Sequence, residues 1–384
     1  MGPQRTGTLR ALLYGVLSPL LVLSALSATG ASAAPLADVT PLGAEWPLDA
    51  QHFDAVKVWG LSRGAGVTVA VVDSGVGASH PDLAGRVLPG TDITRQAANG
   101  QIDVSDDSHG TSVAGVIAAT GGTGHGMAGL APASSILPVR ISTDGAADPL
   151  ALAEGIVYAA RHGAKVINIS MTTDVADPQL RDAVGYAVAH DIVVVAAAGN
   201  DGRAGNQVSY PAAFPGVVAV SGTTRENAFW PTSESGSYIS LAAPAVGIYS
   251  TNNSGGYLTK DGTSYSAPYV SATAALLRAA FPSESAGQII ARLITTADLP
   301  TGAGGAHGRD DQLGYGLVNP LKALRAPAPA ARTNPLIAAV GGTAAKSARR
   351  SAAMPWAVGG ITAASVAIAA GGLAVLRRRR RRTS

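Results

Sequence analysis

Cysteine is absent from the 384-residue sequence, and charged and aromatic residues are scarce, at 14% and 5% of the chain. Without cysteine the chain has no disulfide framework, no thiolate metal site and no cysteine nucleophile. The absence does not by itself assign the protein to a reducing compartment. Hydrophobic residues make up 47% of the chain, which is enough for a buried core and excludes an intrinsically disordered protein.

The first 33 residues have the three parts of a secretory signal peptide. Arg5 and Arg10 precede the apolar run "ALLYGVLSPLLVLSAL", and "ASA" precedes Ala34. This order is typical of a signal that is cleaved, and we predict cleavage after Ala33. An uncleaved membrane anchor is the alternative, which the small residues at the cleavage positions disfavour.

A second apolar segment lies near the carboxyl end of the chain. Residues 356–376 contain no charge, and a helix of this length spans about 31 Å, enough for a bilayer core of about 30 Å. Arg377–Arg382 follow directly, and clustered positive charge marks the cytoplasmic side of a span. We predict one transmembrane helix at 356–376, a cytoplasmic tail at 377–384 and a main body outside the cell membrane. A buried core helix is the alternative, but such a helix would not end in six arginines.

The net charge of +3 depends on these two ends. Eight of the 28 basic residues lie in the predicted signal and tail, which leaves 20 basic residues against 25 acidic ones. Because the exposed body is therefore acidic, we expect no nucleic-acid partner.

Between the two ends, short β-branched runs alternate with helical patterns. The strand patterns lie at 67–73, 165–170, 191–200 and 216–222, and the helix patterns at 109–120, 149–162, 178–190, 264–280 and 284–297. Apolar runs of this kind are typical of strands buried on both faces. We predict an α/β fold with a doubly wound, mainly parallel sheet and helices on both faces. This domain covers 67–325, with an N-terminal extension at 34–66 and an Ala/Pro-rich linker at 326–355.

Four polar residues follow strand patterns or begin helix patterns. Asp73 ends "VTVAVVD", His109 begins "HGTSVAGVIAAT", Asn200 ends "VVVAAAGN" and Ser264 begins the last long helix. Taken singly, each is also typical of a turn or a helix cap. Taken together they predict a site, because ligands bind outside the carboxyl ends of parallel strands.

Two serines lie close together in "DGTSYSAP", and Ser264 is the predicted nucleophile rather than Ser266. Ser264 begins its helix, where the positive end of the helix favours developing negative charge. Of the remaining histidines, His80 is typical of a turn, and His125 and His307 lie in loops with no partner evident in the sequence.

The motifs "VVDSGV", "HGTSVAG", "AAAGN" and "GTSYSAP", in this order, resemble those of the subtilase family of serine proteases. The resemblance covers residues 46–326. It implies a subtilisin-like serine endopeptidase that cuts protein or peptide substrates through an acyl-enzyme. Its implied triad is Asp73, His109 and Ser264, and Asn200 is the implied side-chain donor of the oxyanion hole. No calcium or cofactor motif is legible, and we expect neither a metal nor a cofactor.

Two other motifs are set aside. "GLSRG" at 60–64 matches the nucleophile elbow of lipases, but it precedes a strand instead of following one. "GVGASH" resembles part of a dinucleotide-binding fingerprint, but it lacks the third glycine.

The order of segments resembles that of mycosins, the membrane-anchored subtilases associated with type VII secretion. The extension at 34–66 is too short for a folded prodomain, and a linker, one span and a basic tail follow the body. The resemblance implies a single-pass protein of the cell membrane, with components of a type VII secretion system as partners. The alternative is a structural subunit of a secretion complex in which proteolysis is dispensable.

The expected substrate-binding edge departs from that of secreted subtilisins, which have "SLGG" where this chain has "SMTT". The resemblance assigns substrate binding to Ser170, Met171, Thr172, Thr173, Ala197 and Gly199. Because Thr172 and Thr173 carry β-branched side chains in place of glycine, we expect a narrowed cleft and a narrow choice of substrate.

Overall fold

The computed structural model describes residues 1–2, 41–121, 126–143, 147–300 and 308–337. The chain divides into two compact units, Met1–Pro35 and Leu36–Ser384, and the architecture below is that of the second. The predicted transmembrane helix and tail, and the predicted signal peptide beyond Gly2, lie outside the described residues. Within the described ranges, no helix combines the length and the apolar character needed to cross a membrane.

A parallel sheet forms the centre of the described fold. Its seven strands are β1 (Thr68–Asp73), β2 (Thr91–Asp92), β3 (Ser135–Arg140), β4 (Val166–Ile169), β5 (Val193–Ala197), β6 (Val218–Thr223) and β7 (Leu241–Pro244). They lie in the order β2-β3-β1-β4-β5-β6-β7, and every pair of neighbours is parallel. A separate antiparallel hairpin joins β8 (Ile248–Thr251) to β9 (Tyr257–Lys260).

The helices of the described residues are α1 (Ala55–Trp59), α2 (His109–Ala118), α3 (Pro149–Arg161), α4 (Pro178–Ala189), α5 (Thr263–Ala280), α6 (Ala286–Thr295) and α7 (Pro320–Arg325). Proline begins α3, α4 and α7, where it loses no hydrogen bond because the first N–H groups of a helix have no partner within the helix. Ser285 and Gln288 form a capping box at the start of α6, which satisfies two such groups.

The sheet has a hydrophobic core on each face. Val69 and Val71 of β1 lie in one core together with α2 and α5, whereas Ala70 and Val72 lie in the other together with α3 and α4. Alternate residues of a strand point to opposite faces, so burial on both faces requires an unbroken apolar run. The predicted α/β fold with a mainly parallel sheet between helices is confirmed.

Strand β3 was not among the predicted elements. It contains Pro138, which cannot donate a hydrogen bond to a neighbouring strand and so weakens a strand pattern. The structure pairs β3 with β1 along its whole length but with β2 only at Val139 and Arg140. Pro138 is tolerated because the pairing with β2 begins at the next residue.

Candidate active site

Asp73 and His109 are in direct contact at the carboxyl edge of the sheet. Asp73 is the last residue of β1 and is fully buried, and His109 is the first residue of α2. His109 Nδ1 donates to Asp73 Oδ1 at 2.7 Å. Burial opposes the charged imidazolium, but the charge and hydrogen bond of Asp73 outweigh it and raise the pKa of His109 to about 9. His109 in this pair therefore stays protonated to a higher pH than a histidine that is free in water.

A buried network fixes this pair, and the sequence had not indicated it. Asp103 accepts hydrogen bonds from the Ser74 and Ser105 hydroxyls at 2.9 and 2.7 Å and from the Thr111 N–H at 2.9 Å. The Ser105 hydroxyl in turn accepts from the His109 N–H at 2.9 Å. One carboxylate thus ties the turn after β1 to the first turn of α2. In the sequence, the only indication of this network is an acidic residue, Asp103, six positions before His109.

Ser264 and Ser266 lie in different surroundings. Ser264 is the second residue of α5 and is 9% exposed, whereas Ser266 is fully buried. The Ser266 hydroxyl donates to the carbonyls of Ala243 and Pro244 at 3.0 and 3.1 Å. Its position and partners indicate a structural side chain, which leaves Ser264 as the serine that a ligand can reach.

Ser264 is joined to Ser170 by two reciprocal hydrogen bonds. The Ser264 hydroxyl donates to the Ser170 carbonyl at 2.9 Å, and the Ser170 hydroxyl donates to the Ser264 carbonyl at 2.8 Å. The Ser264 carbonyl is available for the second bond because Pro268, four residues further along α5, has no N–H to donate to it. In this structure the Ser264 hydroxyl therefore points to the substrate edge, and rotation about its Cα–Cβ bond is needed to direct it elsewhere.

Asn200 lies beside the start of α5. It follows β5 and is exposed, and its Oδ1 accepts from the N–H and the hydroxyl of Thr263 at 2.9 and 3.0 Å. Since the carbonyl oxygen is held in this way, the Asn200 Nδ2 group is the free donor of the amide. The N–H of Ser264 likewise has no partner among the described residues. Two donors suitable for an oxyanion thus lie at the first turn of α5.

The structure separates the six residues that the resemblance assigned to substrate binding. Ser170 contacts Ser264, and Thr172 and Thr173 line a cavity, whereas Ala197 is a buried residue of β5 and Met171 is also buried. Thr173 exchanges two backbone hydrogen bonds with Tyr210, at 2.9 and 2.8 Å.

Gly199 has a φ of +112°, and a Cβ added to it would lie 2.5 Å from the carboxyl carbon of Glu234. The backbone N–H and carbonyl of Thr173 are already used by Tyr210 and are not available to a ligand. Gly199 must remain glycine, and sequence reasoning had not indicated Glu234.

The other histidine motifs lie apart from this site. His80 accepts from the Asp82 N–H at 3.1 Å and donates to the Gly256 carbonyl at 2.9 Å, which is the turn role that was predicted. His125 and His307 lie outside the described residues. No group of three or more histidine and carboxylate side chains in the described ranges is arranged to hold a metal ion.

Comparisons with known proteins identify the family. The subtilase family (peptidase S8) matches residues 64–316. Thermitase from Thermoactinomyces vulgaris is 40% identical over 255 residues, which are 66% of this chain and 89% of thermitase.

Two solved structures are also similar to this chain. The MycP3 protease from the type VII (ESX-3) secretion system is 33% identical, with a TM-score of 0.64 over 76% of this chain and 90% of that one. MycP1 from Mycobacterium smegmatis is 28% identical, with a TM-score of 0.66 over 86% of this chain and 91% of that one. The family match covers most of the chain and contains all four motif residues, so the chain belongs to the subtilase family of subtilisin-like serine endopeptidases.

Proposed function

We propose that this protein is a membrane-anchored, extracytoplasmic serine endopeptidase that cuts peptide bonds through the triad Asp73, His109 and Ser264. The observation that carries the proposal is the 2.7 Å contact between His109 Nδ1 and Asp73, at the sheet edge where Ser264 and Asn200 also lie. A serine hydroxyl is a weak nucleophile until a neighbouring base takes its proton, and His109 is the histidine that this edge supplies.

The reaction begins when a substrate carbonyl reaches Ser264. The hydroxyl rotates away from the Ser170 carbonyl, transfers its proton to His109 Nε2 and attacks the carbonyl carbon. His109 then protonates the leaving amine, and the acyl-enzyme is hydrolysed by water through the same steps in reverse. Asp73 keeps the proton of neutral His109 on Nδ1 and stabilises the imidazolium.

The negative charge that develops on the substrate oxygen is stabilised by Asn200 and the Ser264 N–H. Both donors are fixed before substrate arrives, Asn200 by its bonds to Thr263 and the Ser264 N–H by the helix. Donors fixed in advance stabilise the transition state without the cost of reorganisation.

A role in type VII secretion is supported by the likeness to MycP3, a protease of the type VII (ESX-3) secretion system. The apolar segment at 356–376 and Arg377–Arg382 support a single anchor with the body outside. Protease added to spheroplasts that produce the full chain should digest the 41–337 region and spare a tag fused after Ser384. Protection of the body would contradict this topology.

The narrow specificity that we propose is supported by Thr172 and Thr173, which both line the cavity next to the substrate edge. Glycine at these positions would leave the cavity open, whereas two β-branched side chains reduce it. The protein is thus proposed to cut one or a few secreted proteins and not to digest proteins broadly.

A fluorophosphonate probe, which reacts only with an activated serine, tests the proposed enzyme. The full-length chain should be labelled at Ser264, and Ser264→Ala should abolish labelling. Ser266→Ala is the matched control and should still be labelled. Labelling that persists in Ser264→Ala would refute the assignment, and a folded wild-type chain that is never labelled would favour the structural subunit.

A further inference from the structure

A polar cavity of about 580 Å³ is lined by Asp201, which directly follows Asn200, and by Thr172 and Thr173, which follow Ser170. One wall is the segment that follows Ser170, and a second is the loop that follows Asn200. Glu234 lies between them, against Gly199, which directly precedes Asn200. The cavity therefore lies close to Asn200, and its volume is within the range of ligand pockets.

The cavity carries negative charge only. Its lining contains three carboxylates, Asp174, Asp201 and Glu234, and no lysine, arginine or histidine among the described residues. None of the three forms an ion pair within the described part of the chain. Three carboxylates that share a cavity without a cation repel one another, so the cavity favours binding of a positively charged group.

Glu234 is the carboxylate on which this preference depends, because it is only 2% exposed. The Tyr238 hydroxyl donates to its Oε2 at 3.2 Å. Burial raises the pKa of Glu234, and the charge of Asp201 adds to this effect, whereas hydrogen bonds from the Ser209 and Tyr238 side chains and from the Asp201 backbone oppose it. A buried carboxylate is costly unless a cation or several donors offset its desolvation, and a lysine or arginine side chain would supply that cation.

The cavity is formed before any ligand arrives. The Glu234 N–H donates to the Gly199 carbonyl at 3.0 Å, and the Gly202 N–H donates to the Thr232 carbonyl at 3.0 Å. On the other side, Thr173 is paired with Tyr210. Backbone bonds thus fix both walls and the backbone of Glu234, and the Tyr238 hydroxyl binds its carboxylate.

We propose that this cavity receives the substrate side chain that immediately precedes the scissile bond, and that Glu234 selects lysine or arginine there. This inference rests on the proposed function, because it takes the substrate carbonyl to lie between Ser264 and Asn200. The side chain of the same substrate residue then extends between the Thr172 and Asp201 walls. Its ammonium or guanidinium group donates a charge-assisted hydrogen bond to Glu234, so the enzyme cuts after basic residues.

Hydrolysis of matched peptides by the full-length chain tests the inference. The peptides differ only in the residue before the cleaved bond, which is Lys, Arg, Leu, Phe or Glu. We expect kcat/KM for Lys and Arg to exceed that for Leu by about tenfold to a hundredfold, the range of a hydrogen bond to a charged group. A wild-type chain that cuts after Leu or Phe as fast as after Lys overturns the proposal.

The variant Glu234→Gln keeps the shape of the side chain and removes its charge. It should lose most of the advantage of Lys over Leu, measured as the ratio of kcat/KM for the two peptides. Glu226→Gln, at an exposed turn outside the cavity, is the matched control and should keep the wild-type preference. Asp201→Asn changes an exposed carboxylate of the cavity lining. This variant should therefore fold even if the buried Glu234→Gln variant does not, and it should lose part of the preference for Lys over Leu. An unchanged preference in both cavity variants overturns the proposal.

Binding to the full-length Ser264→Ala chain separates this inference from the proposed function. A fluorescent peptide with Lys at the tested position should bind at least tenfold more tightly than the matched Leu peptide. Adding Glu234→Gln should remove the difference. If the wild type cuts no peptide and this binding difference is found, the proteolytic function fails and the pocket assignment stands. Equal affinities, or no binding of either peptide, overturn the pocket assignment.

Discussion

The two helical layers satisfy the N–H groups at their helix starts in different ways. In the layer of α3 and α4, Asp148 and Asp177 each accept hydrogen bonds from two N–H groups of the helix that follows. In the layer of α2 and α5, the residues at the same position are Ser108 and Gly262, and neither provides a side-chain cap.

The α2 and α5 layer uses residues from elsewhere in the chain instead. Ser74 and Asp103 bind N–H groups at the start of α2, and Asn200 binds the N–H of Thr263 at the start of α5. A local aspartate cap stabilises one helix. A distant partner also fixes two chain segments relative to each other, and at α5 it leaves the Ser264 N–H without a partner among the described residues. The caps of α3 and α4 thus act within one helix, whereas the partners at the starts of α2 and α5 also arrange the residues of the candidate site.

The largest effect is expected where the α2 layer meets β1. Asp73→Asn keeps the size of the side chain but removes the carboxylate that holds the His109 proton on Nδ1. We expect kcat to fall by about 10⁴-fold, together with some loss of stability below pH 9, because the raised pKa of His109 depends on this carboxylate. The measurement is peptide hydrolysis, and a variant with near wild-type kcat would show that His109 does not depend on Asp73.

A smaller loss is expected at the start of α5. Asn200→Ala removes one oxyanion donor, so kcat should fall by about 10²- to 10³-fold with KM nearly unchanged. Thr263→Val removes the hydroxyl bound to Asn200 but keeps the backbone N–H, and it should cost less than Asn200→Ala. If the two variants lose the same activity, Asn200 serves to position the loop and does not donate to the substrate.

The pKa of His109 predicts an alkaline activity profile. His109 accepts the serine proton only when it is neutral, and its pKa is about 9 instead of the ordinary 6.5. From pH 7 to pH 9 the neutral fraction, and with it kcat/KM, should therefore rise about 50-fold.

The same shift affects stability. Between pH 6.5 and 9 the folded state binds more protons than the unfolded state, so the free energy of unfolding should fall as pH rises through this window. A plateau of kcat/KM already reached at pH 7 would contradict the raised pKa.

At the start of α4 we expect a loss of stability without a loss of activity. Asp177→Ala removes the cap of α4, and the free energy of unfolding should fall by about 1 kcal/mol while kcat/KM stays the same. Asp182→Ala, at an exposed position within α4, is the control and should leave stability unchanged within about 0.5 kcal/mol. Loss of activity in Asp177→Ala would show that the two layers are not separate in function.

The smallest effect is expected at the substrate edge. Thr172→Gly combined with Thr173→Gly should increase casein hydrolysis several-fold by widening the cleft, at a cost of about 1 kcal/mol of stability per glycine. Probe labelling of Ser264 should be retained. Rapid casein hydrolysis by the wild type, or no gain in a folded double variant, would contradict the proposed narrowing.

The sequence predicted the elements that carry local patterns. Strand β1 and helix α5 were predicted because an apolar run and a helix-starting serine are visible within a few residues. Strand β3 was missed because Pro138 weakens its pattern and the neighbouring strands that stabilise it are distant in sequence. The positions of Asp103 and Glu234 depend on contacts between distant segments, such as Glu234 against Gly199, which spacing along the chain does not show.

Pro268 affects how the backbone and the hydroxyl of Ser264 are held before the reaction. Because its nitrogen has no hydrogen, the helix cannot reclaim the Ser264 carbonyl, and that carbonyl stays bound to Ser170. The Ser264 hydroxyl is held less firmly. Its partner is the Ser170 carbonyl, and an N–H group of a substrate strand can compete for that carbonyl. The nucleophile thus has a fixed backbone and a releasable hydroxyl. We expect a peptide strand that pairs with this edge to compete for the Ser170 carbonyl and so release the Ser264 hydroxyl, whereas a small reagent has to wait for the hydroxyl to rotate by itself.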